Sequence, residues 1–361
     1  MKRRPLNAER PSPKLTLLGF GSAPLGNLYS AISDETAESA VDAAWAAGIR
    51  FYDTAPQYGF GLAEERIGRA LAKRPRREFV LSTKVGRILE DCAPEEVPQI
   101  NFIDTPSRTF RYDYSYDGVM RSFEASLERL GLDRMDVLLV HDVDAYTHGS
   151  REASDARVRE LFESGGYRAL ATLKAEGTVA SIGAGVNEWE VCQMLLERGD
   201  FDCFLLAGRY TLLEQHALDS FLPLCEARDV GIIAGGPFNS GILATGPVPG
   251  AHFNYAPAPR PILDRTRALQ TACERHGVPL AAAALQFVSA HPSVKCVLAG
   301  ANTQAQVEAN KRLLELAIPA ALWADLKQQG LVQAEAPVPV APPLGPGPLA
   351  TPDRSCAPNS N

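Results

Sequence analysis

Eight short apolar runs, each bounded by Gly, Pro or Asp, mark the middle of the chain. They are LTLLGFG (15–21), IRFYDTA (49–55), FVLSTKV (79–85), DVLLVHD (136–142), VASIGAG (179–185), CFLLAG (203–208), GIIAGG (231–236) and KCVLAG (295–300). None alternates apolar with polar residues, the pattern of strands buried on both faces. Helical patterns lie between them. In DETAESAVDAAWAAG, Ala37, Ala40, Val41, Ala44 and Trp45 fall on one helical stripe. Ser33 or Asp34 is the expected start and Gly48 the expected end. In YDGVMRSFEASLERLG, Val119, Met120, Phe123, Leu127 and Leu130 form a second stripe, with Asp117 as expected N-cap and Gly131 as stop. Strand and helix in alternation predict a parallel sheet, and eight such units are enough to close it into a (β/α)8 TIM barrel.

The barrel domain is expected over residues 14–330. Residues 1–13 are charged and contain Pro, and they read as disordered. Residues 334–361 are rich in Pro and poor in large apolar side chains, and they read as a disordered tail. One connection, 88–115 after the third strand, is long for a compact domain. Its aromatics Phe102, Phe110, Tyr112 and Tyr114 predict a packed lid or substrate wall, the alternative being a structural excursion.

Composition narrows the class. The chain has 361 residues and a formal net charge of −7, against the basic surface that non-specific nucleic-acid binding needs. Its seven cysteines form no C-x-x-C pair, which reads as reduced thiols in a reducing compartment. No apolar run reaches the ~18 residues of a membrane span. The basic start MKRRPLNAERPSP has no apolar stretch behind it, so it is not read as a secretory signal. A cytoplasmic enzyme with no membrane or nucleic-acid partner is the expectation; the oligomeric state is left open.

The candidate chemistry sits where barrel strands finish, at the carboxyl face that carries active sites in this architecture. Asp53 ends the second run and Tyr58 follows it in FYDTAPQYG. Lys84 nears the end of the third run and His141 ends the fourth. A free phenol titrates near ~10 and is a poor base at neutral pH. An ammonium beside it favours the phenolate. Lys84 is the expected ammonium, Asp53 the group that keeps it charged, and His141 the donor that orients a substrate oxygen. The set describes proton transfer to or from an alcohol or carbonyl, which needs a nicotinamide cofactor for the hydride. No nucleophile elbow, H-E-x-x-H or Walker loop is present, and no metal site is expected.

At these residues the chain resembles the aldo-keto reductases. The blocks FYDTAPQYG, VLSTKVG and LLVHD carry the resemblance, which covers roughly residues 14–330. AGRYTLLEQHALD (207–219), GGPFNSGILA (235–244), NYAPAP (254–259) and AAALQFVSAHPSV (282–294) are similar to the D-threo-aldose 1-dehydrogenase branch, also called L-fucose dehydrogenases. L-galactose and pyridoxal 4-dehydrogenases are its relatives.

The resemblance implies Asp53, Tyr58, Lys84 and His141 as a catalytic tetrad. It implies oxidation of an aldose (L-fucose, D-arabinose or L-galactose type) at its anomeric carbon to a lactone. Pyridoxal, whose internal hemiacetal also gives a lactone, and a general aldehyde or ketone reductase are the alternatives. A non-catalytic cofactor sensor and a metal-dependent sugar isomerase are weaker readings. The implied cofactor crosses the barrel mouth, its adenosine half cradled by GANTQAQVEAN (300–310) through Gly300, Asn302, Gln306 and Asn310. Asn302 or Thr303, and Gln306, stand where NADP-dependent members carry basic residues, so NAD is expected and NADP remains possible through Lys311 or Arg312. Asn187 is expected on the nicotinamide amide, and Gly235 and Gly236 either support the pyrophosphate or make a tight turn. Arg209, Asn239 and His148 are the expected substrate-wall residues.

Overall fold

The computed structural model describes residues 1–340. Each apolar run becomes one strand: β1 (Leu18–Gly21), β2 (Phe51–Asp53), β3 (Val80–Val85), β4 (Val137–His141), β5 (Ser181–Val186), β6 (Cys203–Ala207), β7 (Gly231–Gly235) and β8 (Val294–Gly300). All eight are parallel, pair in chain order, and close through β8 against β1. The missing alternation has a direct cause. Phe51, Val137, Leu139, Leu205, Ile233 and Leu298 fill the barrel interior, while neighbours such as Tyr52, Leu138, Phe204 and Ile232 pack outward on the helices.

The helix over Asp34–Ala46 starts at Ser33, whose hydroxyl accepts from the Thr36 N–H, and Gly48 follows its end at a φ of 84°. The helix over Tyr116–Leu130 is capped by Ser115 rather than the expected Asp117. Asp113 accepts the Ser115 hydroxyl at 2.5 Å and so sets it to receive the Gly118 N–H. Asp117 lies in the first turn, where a carboxylate still opposes the positive helix end.

Residues 1–13 are not disordered. Arg3–Pro5 pairs antiparallel with Lys14–Thr16. This hairpin lays Leu6 and Leu15, both fully buried, into the same cluster that fills the barrel interior. Asn7 donates to the carbonyls of Asp202 (2.9 Å) and Asp229 (2.6 Å). Covering the open end of the barrel takes only two leucines, so the low apolar content of the segment hid its role. At the other end the chain stays packed past 334: Ala336 is buried and Val338 lies on the core. The rest of the expected Pro-rich tail, residues 341–361, lies outside the described residues.

The 88–115 connection is a folded wall. Arg87–Asp91 pairs antiparallel with Arg108–Tyr112. Its aromatics stack on one another and on Phe60 from the loop after β2, Phe110 on Phe60 at 6.3 Å and Tyr112 on Tyr114 at 6.1 Å. Among the described residues no helix is long and apolar enough to cross a membrane.

Candidate active site

The four expected residues meet at the carboxyl face of the barrel. Lys84 Nζ, buried at the end of β3, uses all three of its protons: 2.8 Å to Asp53 Oδ2, 2.9 Å to the Thr54 carbonyl and 3.2 Å to the Tyr58 hydroxyl. Ser82 donates to the other Asp53 oxygen at 2.6 Å. Two close approaches set this arrangement. Gly59, at a φ of 63°, lies so near Gly26 that a Cβ there would stand 2.4 Å from the Gly26 carbonyl oxygen, which fixes the loop carrying Tyr58. On β5, a Cβ at Gly185 would stand 3.0 Å from Lys84 Cε. The absence of a side chain there lets the lysine run straight to the tyrosine. His141, at the end of β4, meets the Tyr58 ring edge-on with centroids 6.1 Å apart.

Burial alone works against the Lys84 ammonium, but Asp53 and the Tyr58 oxygen hold its pKa above the ordinary lysine value. The sequence-based expectation for Tyr58 needs correcting. Burial raises the phenol pKa above 10.0, and the lowering by Lys84 does not overcome it. At neutral pH the site presents a phenol that holds its proton and a lysine placed to stabilise the phenolate once it forms. Burial, with Arg87 and Lys84 nearby, drives the His141 pKa well below 6.5, so the ring is neutral. Its Nδ1 is buried without a hydrogen-bond partner, whereas Nε2 lies 3.2 Å from Asp142 Oδ2. A proton on Nδ1 would be an orphaned buried donor, which is the rarer condition, so the Nε2–H tautomer is assigned.

A cavity of about 490 Å³ opens above these groups, within the range that holds a small ligand. Phe102, Phe110 and Tyr112 form one wall, Tyr146 and Tyr255 the rim, and Gln57, Thr147 and Asn187 add polar points. Several lining residues were missed from sequence, Gln57, Tyr146 and Thr147 among them. Arg87 and Asp142 form a buried ion pair at 2.6 Å, and Asn187 Nδ2 donates to the other Asp142 oxygen at 3.1 Å. Asp142 closes the block LLVHD and Arg87 directly follows VLSTKVG, but nothing in either stretch aims an ion pair into a cavity. Tyr255 was also missed. It sits beside Asn254 in a hairpin turn where both residues have positive φ (61° and 51°).

Three expected wall residues lie elsewhere. Asn239 is buried, accepts from Thr211 Oγ1 (2.5 Å) and donates to the Gly208 carbonyl (2.9 Å), so it ties the loops after β6 and β7 together. Arg209 turns to Asn254 Oδ1 (2.7 Å) and borders a separate groove with Glu188 and Glu214. His148 backs the wall rather than lining it, against Tyr112 and 2.9 Å from the Asp142 carbonyl. The residues expected on the cofactor side lie along the mouth. Gly235 ends β7 beside Ala207, and Gly236 begins a turn at a φ of 57°. Gly300 ends β8 beside Gly21. The Asn302 N–H donates to Gln306 Oε1 at 2.9 Å, and Asn310 is largely buried. Among the described residues no group of three or more His, Cys, Asp or Glu side chains is placed to hold a metal ion.

Known proteins resemble this chain over most of its length. The family model described as Aldo/keto reductase family matches residues 17–329. A pyridoxal 4-dehydrogenase from Microbacterium luteolum is 42% identical over 328 residues, covering 88% of this chain and 95% of that protein. A D-threo-aldose 1-dehydrogenase from a Pseudomonas species is 39% identical over 320 residues, covering 87% and 94%. The L-galactose dehydrogenase of Arabidopsis thaliana is 30% identical over 302 residues, covering 82% and 83%. Among solved structures, the holo form of an aldo-keto reductase from Bacillus halodurans superposes with a TM-score of 0.69 at 26% identity, covering 92% of this chain and 97% of that one.

Proposed function

The chain belongs to the aldo/keto reductase family, and from that premise we propose that it oxidises the anomeric hydroxyl of an aldose to a lactone, with NAD as hydride acceptor. The carrying observation is the chain of contacts Asp53–Lys84–Tyr58, with neutral His141 facing the same cavity.

The mouth of the barrel fits such a cofactor. The hydroxyls of Ser22 and Thr54, just past β1 and β2, are buried with no hydrogen-bond partner, a condition that a bound ligand or an ordered water relieves. The helix over Gln304–Glu315 opens its N-terminus beside Gly300, which suits a phosphate. Asn187 offers a side-chain amide within the cavity. The first turn of that helix carries no cation. Lys311 is paired with Glu315 at 2.5 Å and Arg312 lies 3.8 Å from Glu308, which leaves a 2′-phosphate without a ready partner and favours NAD.

A bound nicotinamide supplies the hydride acceptor. The chain's own groups handle the proton and the orientation. Once the Tyr58 phenol has given its proton to solvent, the phenolate oxygen takes the proton of the hemiacetal hydroxyl, and Lys84 stabilises that phenolate. His141 Nε2–H donates to the substrate oxygen and fixes its direction. The aromatic wall of Phe102, Phe110 and Tyr112 favours a second reading, in which the ring is the flat one of pyridoxal. The test is cofactor reduction, followed by absorbance, with NAD and with NADP against L-fucose, D-arabinose, L-galactose and pyridoxal. Faster reduction of NAD with a sugar is expected. Turnover of pyridoxal alone selects the second reading, and no reduction with any of the four overturns both.

A further inference from the structure

The Arg87–Asp142 pair is the feature of the cavity that the proton-transfer chemistry does not use. Its side chains are 3% and 11% exposed. Desolvating two charges is costly, and an apolar pair of similar size is often as stable. Its position calls for another explanation. Asp142 is not glycine, yet its φ is 48°. Its backbone is held there from several sides. Its N–H donates to the Gly185 carbonyl at 2.9 Å, and its carbonyl lies 3.2 Å from the Tyr114 hydroxyl and 2.9 Å from His148 Nε2. Strain of this kind persists where the surroundings over-determine it, and it concentrates at ligand sites.

The carboxylate has capacity to spare. Oδ2 faces Arg87 Nη2 (2.6 Å) and His141 Nε2 (3.2 Å), and Oδ1 faces Asn187 Nδ2 (3.1 Å). An ionised carboxylate offers about four acceptor positions, so at least one remains for the cavity it lines. The spacing indicates which ligand atom takes it. A substrate oxygen bonded to His141 Nε2 stands next to an Asp142 oxygen only 3.2 Å from that nitrogen. Hydroxyls on adjacent carbons are separated by about one hydrogen-bond length. When one is the oxygen being oxidised, its neighbour falls at the carboxylate.

We propose that Asp142, held in place by Arg87 and Asn187, accepts a hydrogen bond from the hydroxyl on the carbon next to the anomeric carbon, and so selects sugars that carry it. The assignment rests on the oxidation reading above and narrows its substrate class to 2-hydroxy aldoses. Pyridoxal has no hydroxyl on the atom adjacent to its hemiacetal carbon.

D-Arabinose and 2-deoxy-D-ribose differ only at that hydroxyl and provide the test. The measured quantity is the ratio of their kcat/KM values with NAD. For the unaltered enzyme the ratio is expected on the order of 10² in favour of D-arabinose, the worth of a charge-assisted hydrogen bond. In Asp142→Asn the ratio is expected to fall about tenfold or more, because the neutral amide loses the charge. Any effect of Asp142 on His141, or of the hydroxyl on intrinsic reactivity, is common to both sugars or both enzymes and cancels. Equal kcat/KM for the two sugars in the unaltered enzyme overturns the assignment while leaving the oxidation reading intact. An unchanged ratio in Asp142→Asn with a lower kcat on both sugars assigns Asp142 to positioning His141 alone, and also overturns it. The double variant Arg87→Met/Asp142→Leu removes both charges together and serves if the single variant does not fold; a retained ratio there overturns the assignment as well. If D-arabinose is inert, L-fucose and its 2-deoxy analogue give the same ratio, and no turnover of D-arabinose, L-fucose or L-galactose overturns the oxidation reading, and this one with it.

Discussion

Replacing Lys84 with Met tests the link between the buried ion pair and the chemistry. The substitution keeps most of the side-chain volume and removes the charge. At 3.2 Å from the Tyr58 oxygen, an ammonium in a medium of effective dielectric ~20 is worth ~5 kcal/mol to a phenolate. Asp53 works the other way on the same phenol but stays in this variant, so the whole ~5 kcal/mol is lost from the phenolate, and with about half of it expressed in the transition state the loss is on the order of 10² in the rate of proton acceptance. Oxidation by Lys84→Met is therefore expected to lose about 10²-fold in kcat at neutral pH. The fold is the confounding term. Asp53 would remain buried with Ser82 as its only side-chain donor, and breaking such a pair costs ~3–5 kcal/mol. The double variant Asp53→Asn/Lys84→Met removes that uncompensated charge, so it should melt near the unaltered protein yet stay inactive. NAD binding, followed by fluorescence, should survive in both. A single variant whose kcat stays within about threefold of the unaltered enzyme, with the same pH profile, refutes the electrostatic role assigned to Lys84.

Further consequences follow from single contacts. Because burial raises the Tyr58 pKa above 10.0, the phenol keeps its proton through the neutral range, and oxidation needs that proton gone; kcat for oxidation should climb through the alkaline range, and a profile already flat by pH ~8 would contradict this. Gly185→Ala places a methyl 3.0 Å from Lys84 Cε, so kcat should drop about tenfold with the melting temperature little changed; full activity would show that the lysine has room to move. Leu6→Ser removes a fully buried apolar side chain from the base of the barrel and should lower stability by ~2–4 kcal/mol in urea unfolding, with no change in midpoint counting against the hairpin's role.

How much of this was readable from the chain follows from which forces act locally. The eight strands were legible because double-sided burial writes itself as uninterrupted apolar runs. Asp53, Lys84 and His141 were legible because each stands at or next to the end of such a strand, where the barrel geometry leaves a side chain only the mouth to enter. The hairpin at 3–16 was not, since its stability comes from contacts with residues some two hundred positions away, such as the Asn7 bonds to Asp202 and Asp229. Asn239 and Arg209 carry polar groups that suit a sugar, but composition says nothing of direction; one is consumed by a loop-to-loop contact and the other by Asn254. Tyr58 marks a different limit. The sign of each neighbour's effect was clear from residue type, while the balance between Lys84 and burial required knowing how dry the site is.

The end of β4 shows why the most informative pair in the cavity stayed hidden. Side chains alternate along a strand, so if His141 faces the mouth, a regular strand would send Asp142 outward among the helices. A carboxylate there would be a capping or surface residue. At a φ of 48° the backbone leaves the strand pattern, and His141 and Asp142 line the same cavity. Asp tolerates this region better than most residues, but tolerance is not a signal. What selects it is the surrounding set: Gly185 receiving the Asp142 N–H, Tyr114 reaching both the His141 and Asp142 carbonyls, and Arg87 paired with the Asp142 carboxylate. Those residues come from β5, from the chain leading into the helix over Tyr116–Leu130 and from the hairpin after β3. Closure of the barrel brings the three segments to β4, and with them a neutral donor and a charged acceptor 3.2 Å apart. One addresses the oxygen that reacts. The other is placed for the oxygen beside it.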